Sequence, residues 1–348
     1  GFILFFLCLI FPIEPIFRIP KYIVMILLTL YCKNIGFFKQ KSFFYFVLLI
    51  SIFSFYGLIN STGDLKNNIQ VYLIMPFLYS WVIILKDPKV QSIFTFNVLL
   101  SVLVTLILMW IFQLFEINHF QLNSIDGTSV RYSFNSVTKE FSFPLFNILP
   151  FTLCFLIVYF GKNIRYKIFL FVVALLISYY SGRRGVLLGV ALAGILFIFN
   201  NLNTYLKSAF FLSLLALIVY IVLINFSIFD LDDYRYYQLI SLVNMWQENI
   251  FFGHGLGAHT DLIRNIQKPS SYELFYFSIL NQIGIIGLLA LVIYFKKFVL
   301  FKTHNLFIKS IQFGIIAVLF SSITNPYFDR FDFLFIIFIP LILLNENK

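Results

Sequence analysis

The chain contains 348 residues, of which 61% are hydrophobic and only 11% are charged. A soluble domain of this size does not have enough interior to bury so much apolar surface, which excludes a soluble enzyme or a soluble binding domain. The formal net charge of +10 would favour nucleic acid in a soluble protein, but here it must first be divided between the two sides of a membrane. We therefore expect an all-α, polytopic integral membrane protein.

Apolar stretches of about 17 to 22 residues recur along the chain between short polar links, and this pattern predicts transmembrane helices. We expect twelve spans, no strand-period stretches and no soluble domain, so that residues 1–348 form a single transmembrane domain. The longest links are about 117–140 and 230–271. The predicted spans are roughly 1–13, 21–33, 43–60, 69–85, 92–115, 141–160, 167–182, 185–200, 208–229, 272–295, 307–323 and 331–344.

Twelve spans place both termini and every second link on the same side of the membrane. That side carries fourteen basic residues and two acids, whereas the other side carries eleven basic residues and thirteen acids. Lys and Arg in short links mark the cytoplasmic side, so we expect cytoplasmic termini and an external 230–271 loop. The net positive charge of the chain then reflects its membrane topology, and no nucleic-acid partner is expected.

Arginine is distributed differently from lysine. The outer side contains seven of the eight arginines: Arg18, Arg131, Arg183, Arg184, Arg235, Arg264 and Arg330. Lys and Arg serve equally well as topology signals, but the planar guanidinium fork is preferred where phosphate or carboxylate must be held. The distribution therefore indicates an anionic ligand on the outer face.

Two of these arginines are adjacent in the stretch SYYSGRRGVLLG, residues 178–189. The flanking spans have about 16 residues each, and at about 1.5 Å per residue they are shorter than a hydrocarbon core of about 30 Å. The tip should therefore lie below the outer lipid surface. Arg183 and Arg184 either extend to lipid headgroups or, as we expect, form a phosphate-binding site at the membrane boundary.

The long outer link reads DLDDYRYYQLISLVNMWQENIFFGHGLGAH over residues 230–259. Its apolar residues recur at helical spacing, which predicts an amphipathic helix that lies on the membrane or caps the bundle. The GHGLG segment follows no predicted strand, so we interpret it as a glycine turn against a ligand or helix and not as a dinucleotide fingerprint. His254, His259 and Asp261 lack further matching ligands, so no metal is expected.

The next span opens with KPSSYELFYFSILNQIGIIGLL, residues 268–289. Ser270 and Glu273 have the spacing of a capping box, in which Glu273 would bond the first amides of the helix. The alternative is that Glu273 is a carboxylate at the outer mouth of the bundle and acts as a general base. Both roles can be held by the same side chain.

Three features of the chain occur together in one order. The first is S-G-R-R-G between two spans, and the second is an outer loop of the form R…W…N-x-x-F-G-H-G-L-G. The third is a polar residue that opens a span continuing L-x-Q-x-G-I-I-G. The residues concerned are Arg183, Arg184, Arg235, Trp246, Asn249, 253–257, Leu280, Gln282, Gly284 and Gly287. This ordered set resembles the O-antigen ligase/polymerase superfamily, which includes the Wzy-type polysaccharide polymerases, over about residues 178–290.

The resemblance implies a GT-C-like membrane glycosyltransferase. Its donor would be a growing glycan on undecaprenyl diphosphate, and its acceptor a lipid-linked repeat unit or, in a ligase, lipid A core. The arginines that hold the donor diphosphate in the family correspond to Arg183, Arg184 and Arg235. Arg264 is a further candidate because it lies in the same loop as Arg235.

The position that is commonly His in the ligases is Glu273 in this chain, a departure that favours a polymerase over a ligase. We expect Glu273 to be the catalytic residue, and His254 and Tyr272 to be further substrate contacts. The arginine forks would neutralise charge on the diphosphate leaving group while the carboxylate accepts the proton of the attacking hydroxyl. Direct displacement would invert the anomeric centre, and no metal or other cofactor is expected.

Two other classes of protein remain as alternatives to a glycosyltransferase. A lipid-linked oligosaccharide flippase or other transporter also fits twelve spans, but transporters usually place polar residues at the midplane, which is clean here. A scaffold protein does not explain the arginine pair. The expected partners are undecaprenyl-diphosphate-linked oligosaccharide, the lipid bilayer and a chain-length regulator protein. The expected location is the bacterial cytoplasmic membrane, with the active site facing the periplasm or exterior.

Overall fold

A computed structural model describes nine ranges of the chain, together with Leu27, Leu30 and Tyr272. These ranges are 41–60, 82–123, 129–135, 140–143, 148–199, 234–262, 274–299, 302–323 and 331–345. For some residues in these ranges the structure describes only the backbone. The predicted spans 1–13 and 208–229, and nearly all of 21–33 and 69–85, lie outside the described residues. The number of spans therefore stays a prediction.

The described part of the chain is mostly helical, because apolar runs without strand alternation satisfy their backbone groups internally. The α-helices are α1 Lys41–Ile59, α2 Pro88–Leu114, α3 Leu149–Phe160, α4 Ile164–Tyr180, α5 Arg184–Phe199, α6 Tyr234–Glu248, α7 Phe275–Val299, α8 Leu306–Ser321 and α9 Phe331–Asn345. A short 3-10 helix, Ile84–Lys86, precedes α2. Asp87 accepts a hydrogen bond from the Lys89 amide and caps the start of α2.

The expectation of no strands is wrong. A three-stranded antiparallel sheet comprises β1 His119–Asn123, β2 Ser129–Asn135 and β3 Glu140–Ser142. Its register pairs His119 with Ser133 and Ser133 with Ser142. Alternate residues of β2, such as Tyr132 and Phe134, are buried, as expected for a sheet with one covered face. The sheet also shortens the predicted 141–160 span, because the helix α3 begins only at Leu149.

The helix α8 lies at the centre of the described bundle, between α3 and α5. Gly314 of α8 faces Phe151 near the start of α3, and Phe307, at the start of α8, packs on Phe155 in the middle of α3, so α3 and α8 are antiparallel. Nearly every residue of α3 is buried. Because α8 contacts both α3 and α5, the ends of these helices can be located relative to the ends of α8.

The helix α5 is also antiparallel to α8. Its start meets the end of α8 where Gly189 faces Ser321, and its end meets the first half of α8 where the rings of Phe197 and Phe313 are 4.6 Å apart. The turn between α4 and α5 therefore lies beside the end of α8.

From the directions of the helices, each described charged side chain can be assigned to one of the two ends of the bundle. The end formed by the starts of α2, α4 and α8, which we name the lysine end, carries Lys86, Lys89, Lys162, Arg165, Lys167, Lys302 and Lys309. The opposite end, which we name the arginine end, contains the α4–α5 turn, the sheet, the loop after α6 and the end of α8. The Phe143 ring lies 4.9 Å from that of Phe112 near the end of α2, which places the sheet there.

Two helices, α2 and α7 as far as Lys296, are long and apolar enough to cross a membrane, and four shorter apolar helices accompany them. The outward face of α2 carries large apolar side chains from Phe96 to Leu114. Its exposed side chains, spaced by three or four residues, are Phe96, Leu99, Leu103, Ile107, Trp110 and Leu114. A helix that exposes such a stripe is suited to lipid and not to water.

Candidate functional site

The S-G-R-R-G tip is a tight turn that joins α4 to α5. Gly182 has a φ of 67°, which a residue with a Cβ rarely adopts. The buried Ser181 hydroxyl donates a 2.6 Å hydrogen bond to the Ser178 carbonyl and accepts one of 3.3 Å from the Arg183 amide. The Arg183 side chain is half-buried, whereas the Arg184 side chain is exposed. The turn therefore places two consecutive arginines at the arginine end.

The start of α7 reaches the same end of the bundle. The Tyr276 hydroxyl donates a 2.6 Å hydrogen bond to the Leu319 carbonyl in the last turn of α8. Gly189, one turn into α5, packs against Ala317 and Ser321 of that same turn. The arginine tip and the start of α7 thus both lie beside the end of α8.

The helix α7 is interrupted at Gly284, whose φ of 64° and ψ of −173° are not helical. The segment after α6 supplies the backbone bonds that the helix loses there. The amides of Ile285 and Ile286 donate to the carbonyls of Ile250 and Phe251 at 3.0 and 3.1 Å. A discontinuous helix of this kind is tolerated in a membrane only where other protein groups satisfy its backbone.

The carbonyls that the break releases are bonded by the GHGLG segment. The amide of His254 donates to the Asn281 carbonyl at 2.9 Å, and the amide of Gly255 donates to the Gln282 carbonyl at 2.8 Å. Gly253 has a φ of 69° and lies so close to residues 281 and 282 that a Cβ would be 2.6 Å from their oxygens. The glycine turn therefore packs on a helix, which was one of the two interpretations of its sequence.

The same segment also contacts α1. Gly255, with a φ of 95°, meets Gly57 without room for a Cβ on either residue. The amide of Leu256 donates to the Phe53 carbonyl at 3.0 Å, and the Asn249 side-chain amide donates to the Tyr56 hydroxyl at 2.8 Å. The segment after α6 thus packs between α1 and α7 and is hydrogen-bonded to both.

Two of the predicted substrate contacts have partners within the protein. The His254 ring lies 2.7 Å, through Nε2, from the Met245 carbonyl of α6. The Tyr272 side chain is 1% exposed, and its hydroxyl accepts a 2.7 Å hydrogen bond from the Thr260 amide. Both side chains hold the loop together in this conformation. Whether they also touch substrate stays a prediction.

The other predicted site residues are only partly described. Glu273 and Arg264 lie outside the described residues, although Tyr272 and Leu274 on either side of Glu273 lie inside them. Arg235 falls in the first turn of α6, but its side chain is not among those described. The described arrangement therefore brings the Arg183–Arg184 tip and the start of α7 to one end and leaves the position of the Glu273 carboxylate as a prediction.

A feature that the sequence analysis missed is a pair of buried amides between α6 and α7. The Gln238 side chain is 0% exposed, and within the part of the chain that the structure describes neither its Oε1 nor its Nε2 has a hydrogen-bond partner. The Oδ1 of Asn281, also fully buried, has none, while its Nδ2 donates to the Met245 sulfur at 3.2 Å. An unsatisfied buried amide costs about 1–3 kcal/mol. Such groups call for a reason to be kept.

The helix α6 itself has one face directed at α7. Gln238, Leu242 and Met245 recur at helical spacing, and they are buried or half-buried, whereas Gln247 and Glu248 are exposed. The helix predicted in the 230–271 link is therefore present, with one side packed on the bundle. Burial of Gln238 could have been predicted from the sequence, because Gln238 lies on the apolar face of this helix.

The arginine end thus combines adjacent guanidinium groups, a broken helix held by a glycine loop, and buried amides without partners. Guanidinium forks suit phosphate, and free amides suit hydroxyl-rich ligands. Among the residues that the structure describes, no three His, Cys, Asp or Glu side chains converge as metal ligands. Comparisons with protein families, curated proteins and solved structures found no match to the chain.

Proposed function

We propose that the protein is a membrane glycosyltransferase that polymerises undecaprenyl-diphosphate-linked oligosaccharide repeat units of O-antigen or capsular polysaccharide. It acts on the outer face of the bacterial cytoplasmic membrane, with twelve spans and cytoplasmic termini. The main support for the proposal is that the three motifs on which the family resemblance rests lie close to the end of α8. The arginine tip reaches α8 through Gly189, the start of α7 reaches it through Tyr276, and the glycine loop is bonded to α7.

The arginines have the role of holding the donor diphosphate. Arg183 and Arg184 leave a turn that glycine and serine fix, so their backbone positions are set before substrate arrives. Guanidinium groups held in place stabilise negative charge as it develops on a leaving diphosphate, with no reorganisation at the moment of reaction. Arg235 and Arg264 of the external loop complete the set.

Glu273 has the role of general base. It precedes α7 and follows Tyr272, which is hydrogen-bonded to Thr260, a residue that follows the GHGLG segment. A carboxylate there takes the proton from the attacking sugar hydroxyl, while the sugar C1–phosphate bond breaks on the opposite side. The anomeric centre is inverted, and neither a second carboxylate nucleophile nor a metal takes part.

The buried amides of Gln238 and Asn281 support a hydroxyl-rich substrate. Their free donor and acceptor atoms lie at the contact between α6, which belongs to the external loop, and α7, which follows the proposed base. A sugar that separated this contact would meet groups that bond hydroxyls in both directions. A buried amide without a partner lowers stability, so these amides favour a functional role over a structural one.

A direct test separates polymerase, ligase and transporter. The purified protein in liposomes is supplied with the host's undecaprenyl-diphosphate-linked repeat unit, with or without lipid A core. A polymerase lengthens the lipid-linked glycan without lipid A core. Product found only on lipid A core would indicate a ligase, and movement of unchanged repeat unit across the bilayer would indicate a transporter.

A further inference from the structure

Two lysines from different helices share one aromatic ring at the lysine end. The Nζ of Lys167 in α4 lies 4.9 Å from the centroid of the Phe197 ring, and the Nζ of Lys309 in α8 lies 5.8 Å from it. The ring is only 3% exposed and packs edge-to-face on Phe313. The two ammonium groups are thus gathered over a rigid platform formed by three helices.

This arrangement concentrates positive charge. Lys167 and Lys309 each lie in the first turn of their helix, where the helix dipole is positive and disfavours a cation. Because both ammonium groups lie over the same ring, each lysine also has a second cation beside it. Among the residues that the structure describes, no carboxylate pairs with either lysine. The Phe197 ring attracts both cations but carries no negative charge that would neutralise them, so the site is suited to an anion.

The surroundings of the two lysines identify the kind of anion. Directly after Lys167, the outward face of α4 exposes Ile168, Phe169 and Val172 by 46%, 63% and 48% of their surfaces. Phe171 packs against Gly194, so α4 and α5 form a close hairpin with this apolar face outside. Charge at the helix end above an exposed apolar face matches a molecule with an anionic head and hydrocarbon chains.

We propose that Lys167 and Lys309, over Phe197, bind the phosphodiester headgroup of an anionic phospholipid whose acyl chains lie along the exposed face of α4. The site is at the end of the bundle opposite the arginine tip and does not depend on the proposed glycosyltransferase activity. It requires only that this end face an anionic leaflet. Because cation attraction to such a surface is about 1 kcal/mol per lysine, losing either lysine should weaken headgroup binding about fivefold.

The experiment uses the full-length protein, delipidated in detergent, and counts bound lipid by native mass spectrometry as phosphatidylglycerol or phosphatidylcholine is added. We expect a phosphatidylglycerol molecule that resists displacement by phosphatidylcholine in the wild type. Lys167→Gln and Lys309→Gln should each lose affinity for it. Lys162→Gln, which removes an exposed lysine at the same end, should keep it.

Three results would overturn the proposal. Equal binding of both lipids would remove the role of charge, and an equal loss in Lys162→Gln would indicate diffuse surface attraction. Competition by soluble glycerol 1-phosphate as strong as that by phosphatidylglycerol would indicate a free-phosphate site. Lys167→Arg and Lys309→Arg keep the charge, so retained phosphatidylglycerol binding in them shows that losses in the Gln variants are not caused by misfolding.

Discussion

The Tyr276 hydroxyl donates a 2.6 Å hydrogen bond to the Leu319 carbonyl, and this contact fixes the start of α7 to the last turn of α8. Because Gly189 of α5 packs on that same turn, the contact also sets the spacing between the start of α7 and the arginine tip. The proposed chemistry depends on this spacing. A group that orders two helix ends can therefore matter for activity without touching substrate.

Tyr276→Phe should lower both stability and activity. Loss of the hydrogen bond leaves the Leu319 carbonyl without this donor, which should cost about 1 kcal/mol in unfolding free energy. Polymer formation should fall further than the change in stability explains, because α7 is no longer held to α8. Thermal unfolding and product length on a gel measure the two effects. Tyr179→Phe, which alters a tyrosine that is 72% exposed, is the matched control and should change neither.

Arg183→Ala and Arg184→Ala should each reduce polymer formation by at least about tenfold, because each removes a fork that stabilises the leaving diphosphate. Arg183→Lys should recover only part of the activity, since an ammonium group is a point charge and not a planar fork. Arg165→Ala removes an exposed arginine at the opposite end of the bundle and serves as the control. Equal losses in all the variants would contradict a localised phosphate site.

Gln238→Leu should separate stability from activity. Replacing a buried amide without partners by an apolar side chain should leave the unfolding temperature unchanged or raise it. Polymer formation should decrease, because the proposed hydroxyl-binding group is lost. Gln247→Leu changes an exposed glutamine on the same helix and should keep full activity. A stable, fully active Gln238→Leu protein would show that Gln238 does not bind substrate.

Gly284→Ala should destabilise the protein. A φ of 64° with a ψ of −173° is a conformation almost restricted to glycine and costs a residue with a Cβ about 1–3 kcal/mol, and the added Cβ would meet the Phe251 backbone. Leu289→Ala shortens a side chain on the exposed face of the same helix and should have a smaller effect. Denaturation of the two variants in detergent compares them. Equal unfolding temperatures for wild type and Gly284→Ala would mean that the break in α7 is not maintained.

The helices were the part of the described fold that the sequence predicted best. The predicted spans 92–115 and 185–200 differ by only a few residues from α2 and α5. Long apolar runs without strand alternation have few alternatives to a helix in a low-polarity environment, so their composition nearly determines their structure. Of the seven arginines predicted on the outer side, the side chains of Arg183 and Arg184 are described, and both lie at the end of the bundle opposite the described lysines.

The features that were missed depend on contacts between distant segments. The strand β2 alternates polar and apolar residues in SVRYSFN, but a search for long apolar runs passes over a signal this short. The break at Gly284 lies within an apolar run that reads as continuous helix, and it exists because residues 250–255 replace its bonds. The isolation of the Gln238 amide likewise depends on the packing of α6 against α7.

The central claim is that the arginine tip and Glu273 together form a polymerase site that needs no metal. The most direct measurement supplies purified protein with the native undecaprenyl-diphosphate-linked repeat unit in the presence of EDTA and resolves the products on a gel. We predict a ladder of longer lipid-linked products for the wild type and none for folded Glu273→Gln or Arg183→Ala protein. An unchanged ladder in folded Glu273→Gln protein, or no ladder from folded wild type, would contradict the account.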